Sequence, residues 1–413
     1  MKHAILYLLL LLPGTRAAAQ LSLEECQEKA RANYPVARQQ GLIEQAREFD
    51  LANANKGYLP RLSVTARATY QTEVTRLPAS LPVTGIKELD RDQYQLALEL
   101  SQTIWDGGHV AARKEMANAA AAAEHARVEV ELYALRDRVN QLFFGVLLAG
   151  EQLKYNALLQ EELQNALEQV AAGTRQGVTR AADADVVRVE LARVKRQAVE
   201  IRSAGDAYRE MLGRLTGEEA RGLTRPAARD DRAAGYRPEL SLFQARAGIH
   251  EASLRALKAG SRPRVSLFVQ GGYGNPGLNM LKNEFSTHGI GGVRLSWDVS
   301  RLYTLRDERR QVALQQEMEE SRREAFLLNL SMEEARGQKE VEKWKEMARH
   351  DDEIVALHER VAASAAAGAR EGTTSVLEWM REVNRLDQAR QARAFHEMQG
   401  LLAAYTLEQT RGK

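Results

Sequence analysis

The sequence predicts a mainly α-helical chain with a small β part, in which long antiparallel coiled-coil helices alternate with short pairs of strands. Three observations support this fold class. Apolar residues recur at alternating spacings of four and three over long stretches, which is typical of helices that wrap around one another. Four short segments alternate with a period of two, as strands do. Finally, the landmarks of the first half recur in the same order in the second half.

The composition excludes several classes of protein. Among 413 residues, 58 Lys and Arg face 56 Asp and Glu, so the net charge of +2 provides no basic field for nucleic acid. A mean hydropathy of −0.44 excludes a bundle of transmembrane helices. The single cysteine, Cys26, excludes a disulfide framework and a thiolate metal site. We interpret Cys26 as an ordinary position on the first helix.

Residues 1–19 are predicted to be a secretory signal peptide. Lys2 and His3 precede an apolar run, Pro13 and Gly14 interrupt it, and small residues follow at 17–19. A membrane anchor that is never removed is the alternative. No later stretch reaches the roughly 20 apolar residues of a spanning helix, so we expect an exported chain without one.

The chain reads as a tandem duplication, which we predict as a first repeat at 20–215, a connector at 216–235 and a second repeat at 236–413. Each repeat reads as a helix, two strands and a long helical hairpin. The paired landmarks are Tyr34-Pro35 with Arg237-Pro238, Leu59-Pro60-Arg61 with Arg262-Pro263-Arg264, Trp105-Asp106 with Trp297-Asp298, and Gly173–Gly177 with Gly368–Gly372.

The helices are unusually long. At 1.5 Å per residue, residues 107–172 and 302–367 would each rise about 100 Å. A soluble coiled-coil rod would explain them but not the strands between them. The other predicted helices are 22–57, 178–215, 236–260 and 374–410. Heptad positions in the first long helix are Val128, Leu132, Leu135, Val139, Leu142, Val146, Ala149 and Leu153.

Four strands are predicted at 61–72, 94–102, 265–273 and 291–298. Each alternates apolar and polar residues over about the length of a tilted membrane strand, with Phe268 as an exception. A charge on the lipid face costs about 2–4 kcal/mol at the midplane. We therefore expect the charged strand residues to face the lumen of a barrel; they are Arg67, Glu99 and Arg294.

Aromatic residues mark both ends of these strands, as the two interfaces of a bilayer select. The group at the helix ends is Tyr58, Trp105, Trp297 and Tyr303, and the group at the far ends is Tyr70, Tyr94, Tyr273 and Phe285. The alternative is a small sheet in water with an aromatic core. Four strands cannot close a barrel, and an open edge cannot lie in lipid. A dimer would supply eight strands and a trimer twelve.

Over the whole mature chain, the sequence resembles the TolC family of outer-membrane efflux channels. The residues that carry the resemblance are Leu21-Ser22-Leu23-Glu24-Glu25, Gly57-Tyr58-Leu59-Pro60-Arg61-Leu62-Ser63, Leu100-Ser101-Gln102, Trp105-Asp106-Gly107-Gly108, and the turns ending in Gly177 and Gly372. There are two departures. The second repeat reads Trp297-Asp298-Val299-Ser300 without the double glycine, and the small pair that precedes a lipidated cysteine is missing.

The resemblance implies a homotrimer with a twelve-stranded transmembrane β-barrel in outer-membrane lipid and an α-barrel in the periplasm of a Gram-negative bacterium. Implied partners are a periplasmic adaptor (membrane fusion) protein and an inner-membrane pump of RND, ABC or MFS type. The function would be an exit duct for efflux or export. A periplasmic coiled-coil adaptor or scaffold without a pore is the alternative.

No catalytic constellation is present, so we expect neither an enzyme nor a cofactor, metal or nucleic-acid site. Histidines 250, 358 and 396 each precede a glutamate, but none has a second histidine four residues on. Gly272, Gly274 and Gly277 spell a GxGxxG that opens no predicted helix. These absences speak against a periplasmic enzyme, the remaining alternative.

The candidate functional residues therefore belong to the pore. The resemblance implies that acids just past the glycine turns face the lumen at the periplasmic entrance, namely Asp183, Asp185 and Glu378. Their alternative role is to stabilise a helix N-terminus through its dipole. Candidate contacts with the adaptor are Gly173, Arg175, Gly177, Gly368, Arg370 and Gly372.

Overall fold

The computed structural model describes residues 21–75, 88–177, 179–220, 222–227 and 235–412. The predicted signal peptide lies outside the described residues, as does part of the predicted connector. Within these ranges, no helix combines the length and the apolar character needed to cross a membrane.

Over the described residues the chain is mainly helical with four strands, which confirms the predicted fold class. The helices are α1 (Leu23–Asn33), α2 (Gln39–Asn55), α3 (His109–Arg175), α4 (Ala181–Thr216), α5 (Pro238–Gly260), α6 (Arg301–Glu371) and α7 (Val376–Thr410). The strands are β1 (Arg61–Tyr70), β2 (Asp92–Trp105), β3 (Arg264–Asn275) and β4 (Ser286–Ser296). Short 3₁₀ turns occupy Pro35–Arg38 and Lys56–Tyr58.

The prediction of one continuous helix over 22–57 was wrong. Pro35 has no backbone N–H, and its ring disfavours the α conformation at the preceding residue. Tyr34 accordingly has an extended ψ of 128° and ends α1. The 3₁₀ turn follows it before α2 begins.

The described chain forms two compact units. The helical unit contains the residues up to Arg38, Val128–Pro238, and the residues from Phe326 onward. The strand unit contains Gln39–Arg127 and Glu239–Ala325. Each unit takes segments from both halves of the sequence, and α3 and α6 contribute to both units. The repeat boundaries at 20–215 and 236–413 remain a prediction.

The core of the helical unit follows the heptad positions of the sequence. Val128, Leu132 and Val139 are almost completely buried on α3, and only Leu153 among the eight positions is half-buried. One apolar cluster joins α1, α3, α4 and α7, and a second joins α3, α4 and α7. Full burial of a Leu or Phe side chain stabilises the fold by about 1.5–3 kcal/mol.

Helix α1 starts with a reciprocal cap. Ser22 Oγ accepts a hydrogen bond from Glu25 N–H at 3.1 Å, and Glu25 Oε2 accepts one from Ser22 N–H at 2.8 Å. Cys26 lies on the buried face of this helix, and burial raises the pKa of its thiol to about 11. The interpretation of Cys26 as an ordinary helical position is confirmed.

The strand unit holds one antiparallel sheet in the order β1-β2-β3-β4. Its register places Ser63, Glu99 and Gln270 in one row and Leu62, Leu100 and Val269 in the next. Because side chains alternate between the two faces, one face is mostly polar and the other is mostly apolar. The predicted alternation is therefore present in all four strands, although β4 spans Ser286–Ser296 in place of the predicted 291–298, so that Trp297 lies past its end.

Candidate functional site

The apolar face of the sheet is exposed within the chain. Leu62, Val64, Val293 and Leu295 each leave more than 60% of their surface accessible. A contiguous apolar surface of this kind on a folded chain marks contact with a lipid or protein partner. The arrangement suits a face that contacts hydrocarbon.

The opposite face carries a charged pair. Arg294 donates two hydrogen bonds to the Glu99 carboxylate, at 2.7 and 3.2 Å. The strand register pairs Glu99 with Gln270 and Arg294 with Ser266, so the Arg294 side chain reaches diagonally across β3 to the carboxylate. Arg67 lies on the same face, opposite Gln95. The structure thus joins two of the three predicted lumen residues and keeps the third on their face.

Phe268 is a residue of this polar face that the sequence marked only as an exception. It lies opposite Ser101 and Gly292, and the Arg294 guanidinium carbon is 4.4 Å from the centroid of its ring. The ring covers the guanidinium, an arrangement worth about 0.5–1 kcal/mol at an exposed site. A break in the strand alternation was the only sequence signal for it.

The eight predicted aromatic girdle residues are all exposed. Phe285 lies 5.5 Å from the Tyr273 ring and 6.5 Å from the Tyr94 ring, centroid to centroid. Near the other end, Trp297 Nε1 donates a hydrogen bond to the Ser261 carbonyl at 3.0 Å. A bulge at Thr103–Trp105 brings Trp105 opposite Val265, on the apolar face. Contact of these rings with lipid remains a prediction.

Two glycine turns connect the long helices within the helical unit. Gly177 and Gly372 have φ of +76° and +74°, a left-handed conformation that favours glycine. In the first turn, Thr174 and Thr179 hydroxyls both donate to the Val170 carbonyl at 2.9 Å.

The second turn has the same glycine geometry but other hydrogen bonds. Thr373 and Thr374 N–H groups both donate to the Gly368 carbonyl, at 2.9 and 3.1 Å. Gly173 and Gly368 pack closely against turn threonines, since a Cβ on either would come within about 3.1 Å of a hydroxyl oxygen. Arg175 and Arg370 are exposed, and their contact with an adaptor remains a prediction.

The three acids past these turns differ in what they contact. Asp183 accepts a hydrogen bond from Arg180 N–H at 2.9 Å and so caps the start of α4. Asp185 is exposed and forms an ion pair with Arg188 at 2.7 Å. Glu378 is exposed at the third position of α7, where its N–H donates to Ser375 Oγ at 3.2 Å. Their exposure to a lumen remains a prediction.

A polar network inside the helical unit was not predicted. Arg390 on α7 donates to Glu162 on α3 at 3.2 Å and to Glu359 on α6 at 3.0 Å. One turn away, burial raises the pKa of Asp387. His396 lies 2.7 Å from Asp351. No three His, Cys, Asp or Glu side chains in the described ranges cluster as a metal site.

Comparisons with known proteins agree with this geometry. The family model described as outer membrane efflux protein matches residues 26–218. Among solved structures, the chain is similar to CusC, from crystal structures that describe its transmembrane channel formation, with 14% identity over 95% of this chain and 92% of that one, and a TM-score of 0.72.

Two further solved structures show a similar likeness. VceC from Vibrio cholerae shows 14% identity over 94% of this chain and 96% of its own, with a TM-score of 0.69. The MtrE channel of Neisseria gonorrhoeae shows 14% identity over 94% and 89%, with a TM-score of 0.66. At these identities the likeness shows a shared fold. No curated protein sequence matches the chain significantly.

Proposed function

We propose that the chain is one subunit of an outer-membrane exit channel, because residues 26–218 match the outer membrane efflux protein family model. Members of the family are channels and not enzymes. The observation that best supports the proposal is the four-stranded sheet with one exposed apolar face and one polar, charged face. A pore-free scaffold would give that apolar face no function.

The edges of the sheet support assembly with other copies. Strands β1 and β4 each have one neighbour in the order β1-β2-β3-β4. In lipid, backbone groups at both outer edges would need partners, and β4 of one subunit can supply them to β1 of the next. We take the assembly to be a trimer with twelve strands, as in the family that the sequence resembles.

In this assembly the polar face lines the pore. The Glu99–Arg294 pair and Arg67 would then meet water, while the apolar face and the aromatic girdles would meet the outer membrane. The long helices would form a periplasmic α-barrel that coiled-coil packing closes at rest. Family members work with inner-membrane pumps and periplasmic adaptors, and an adaptor would bias the helices towards opening.

The native mass of the purified protein in detergent tests this proposal. We expect a heat-sensitive species of three chains that is recovered from the outer-membrane fraction and conducts ions in planar bilayers. A monomer that is soluble without detergent would refute the channel and favour the scaffold.

Charge reversal at the glycine turns tests the adaptor contact. The double variant Arg175→Glu with Arg370→Glu should abolish export while the trimer persists, because like or mismatched charges disrupt a complementary surface. Arg202→Glu, an exposed arginine in the body of α4, is the matched control and should export normally. Unchanged export by the double variant would refute a role for these turns.

A further inference from the structure

A cavity of about 460 Å³ lies between α3, α6 and α7 in the helical unit. This volume falls within the range of about 300–1,000 Å³ that is usual for small-molecule sites. Its walls are formed by three helices of one chain, and one side is open to solvent. The buried apolar wall residues include Leu163, Ala166, Ala362, Trp379, Met380 and Leu386.

The charged side chains that line the cavity leave an excess of negative charge. Glu162 and Glu359 are both carboxylates, and they share the single guanidinium of Arg390. The Arg390 side chain is only 17% exposed, whereas the two carboxylates are 40% and 50% exposed. The carboxylates can therefore turn towards a ligand while Arg390 stays in place.

We propose that this cavity binds an organic monocation with an apolar or aromatic body. The buried apolar walls would take the body, and the surplus carboxylate charge would pair with the cation. Trp379 adds an aromatic surface, the side chain that attracts cations best. An organic anion of the same shape would meet net negative charge. A bare divalent cation would find apolar walls in place of the six or more oxygen ligands it prefers.

Binding would also affect the helices that form the cavity. Arg390 already ties α7 to α3 and α6 through its two ion pairs. A ligand seated among the same helices adds contacts to that arrangement, so it would stabilise the folded unit by mass action. This inference does not depend on the proposed channel function, since binding can be measured on the protein without any transport assay.

The test uses two ions of nearly the same shape and opposite charge. The detergent-solubilised protein is titrated by calorimetry with tetraphenylphosphonium and, separately, with tetraphenylborate. We expect saturable binding of one tetraphenylphosphonium per chain, at least about tenfold tighter than tetraphenylborate. Glu359→Gln, which keeps a hydrogen-bond acceptor for Arg390, should weaken tetraphenylphosphonium binding about tenfold and should strengthen tetraphenylborate binding, because it removes the surplus negative charge. Equal affinity for the two ions would overturn the proposal.

A second pair of variants separates the cavity from the detergent. Ala363 lines the cavity, and Ala363→Leu should fill it and abolish saturable binding. Ala367→Leu, one helical turn away and outside the cavity lining, is the matched control and should bind normally. Wild-type binding by Ala363→Leu would overturn the proposal. The proposal would also be overturned if tetraphenylphosphonium never binds the wild type and Ala363→Leu loses adaptor capture. In that case a partner helix would occupy the cavity.

Discussion

The two corners at which a strand passes into a long helix occupy equivalent places in the two halves of the chain but are built differently. Between β2 and α3, the buried carboxylate of Asp106 accepts hydrogen bonds from Gly108 N–H at 2.8 Å and Val110 N–H at 2.6 Å. Between β4 and α6, Asp298 is exposed, and its carboxylate accepts a hydrogen bond from the Ser300 hydroxyl.

The difference shows two ways to satisfy the first N–H groups of a helix, which have no partners within it. The first corner uses an aspartate and two left-handed glycines, packed beneath the connection from α5 to β3. The second uses short-range backbone bonds, from Leu302 N–H to the Val299 carbonyl and from Tyr303 N–H to the Ser300 carbonyl, both at 3.0 Å. The missing double glycine of the second repeat therefore goes with a corner that is built differently.

Removing the aspartate of each corner should give the largest contrast. Asp106→Ala leaves two backbone donors without their acceptor in a buried place, so we expect it to lower the free energy of unfolding by about 3 kcal/mol. Asp298→Ala removes an exposed carboxylate and should cost less than about 1 kcal/mol. Denaturant unfolding followed by helical circular dichroism compares the two variants. Equal losses would mean that the corners are energetically equivalent despite their geometry.

Placing alanine directly after the aspartate of each corner should give a smaller contrast. Gly107 has a φ of +71°, and a Cβ there would lie 2.9 Å from Arg262 Cβ and 3.0 Å from the Pro263 carbonyl oxygen. We expect Gly107→Ala to destabilise the fold by about 2 kcal/mol, through backbone strain and this crowding. Val299→Ala, at the exposed second corner, is the control and should change stability by less than about 0.5 kcal/mol. A stable Gly107→Ala variant would show that the α5–β3 connection can move aside.

Features that repeat along the chain could be predicted from the sequence, because many residues share the same spacing pattern. The heptad spacing predicted the helices, the alternation predicted both faces of the sheet, and the paired glycines predicted the turns. The break at Pro35 was missed because the apolar pattern continues across it. Single long-range pairings, such as Arg390 with Glu162, leave no local pattern, since exposed arginines and glutamates abound on every helix. The Glu99–Arg294 pair is likewise a single long-range contact, since it joins β2 to β4 diagonally across β3.

The pH dependence of the two corners should differ least, and in a known direction. Burial alone would raise the pKa of Asp106, but hydrogen bonds from Val110 N–H, Gly108 N–H and the Tyr58 hydroxyl hold this pKa below its usual value. A lowered pKa in the folded state means that the carboxylate stabilises the fold above the unfolded pKa of about 3.9 and loses this effect as the pH falls through the folded value.

The stability advantage of the wild type over Asp106→Asn should therefore be constant near neutral pH and shrink below about pH 4. The stability that the wild type loses in acid should be smaller than the stability lost in Asp106→Ala, because a protonated carboxyl group still accepts hydrogen bonds. Asp298→Asn should show no such trend, and an Asp106→Asn difference that grew in acid would contradict the role of the ionised carboxylate.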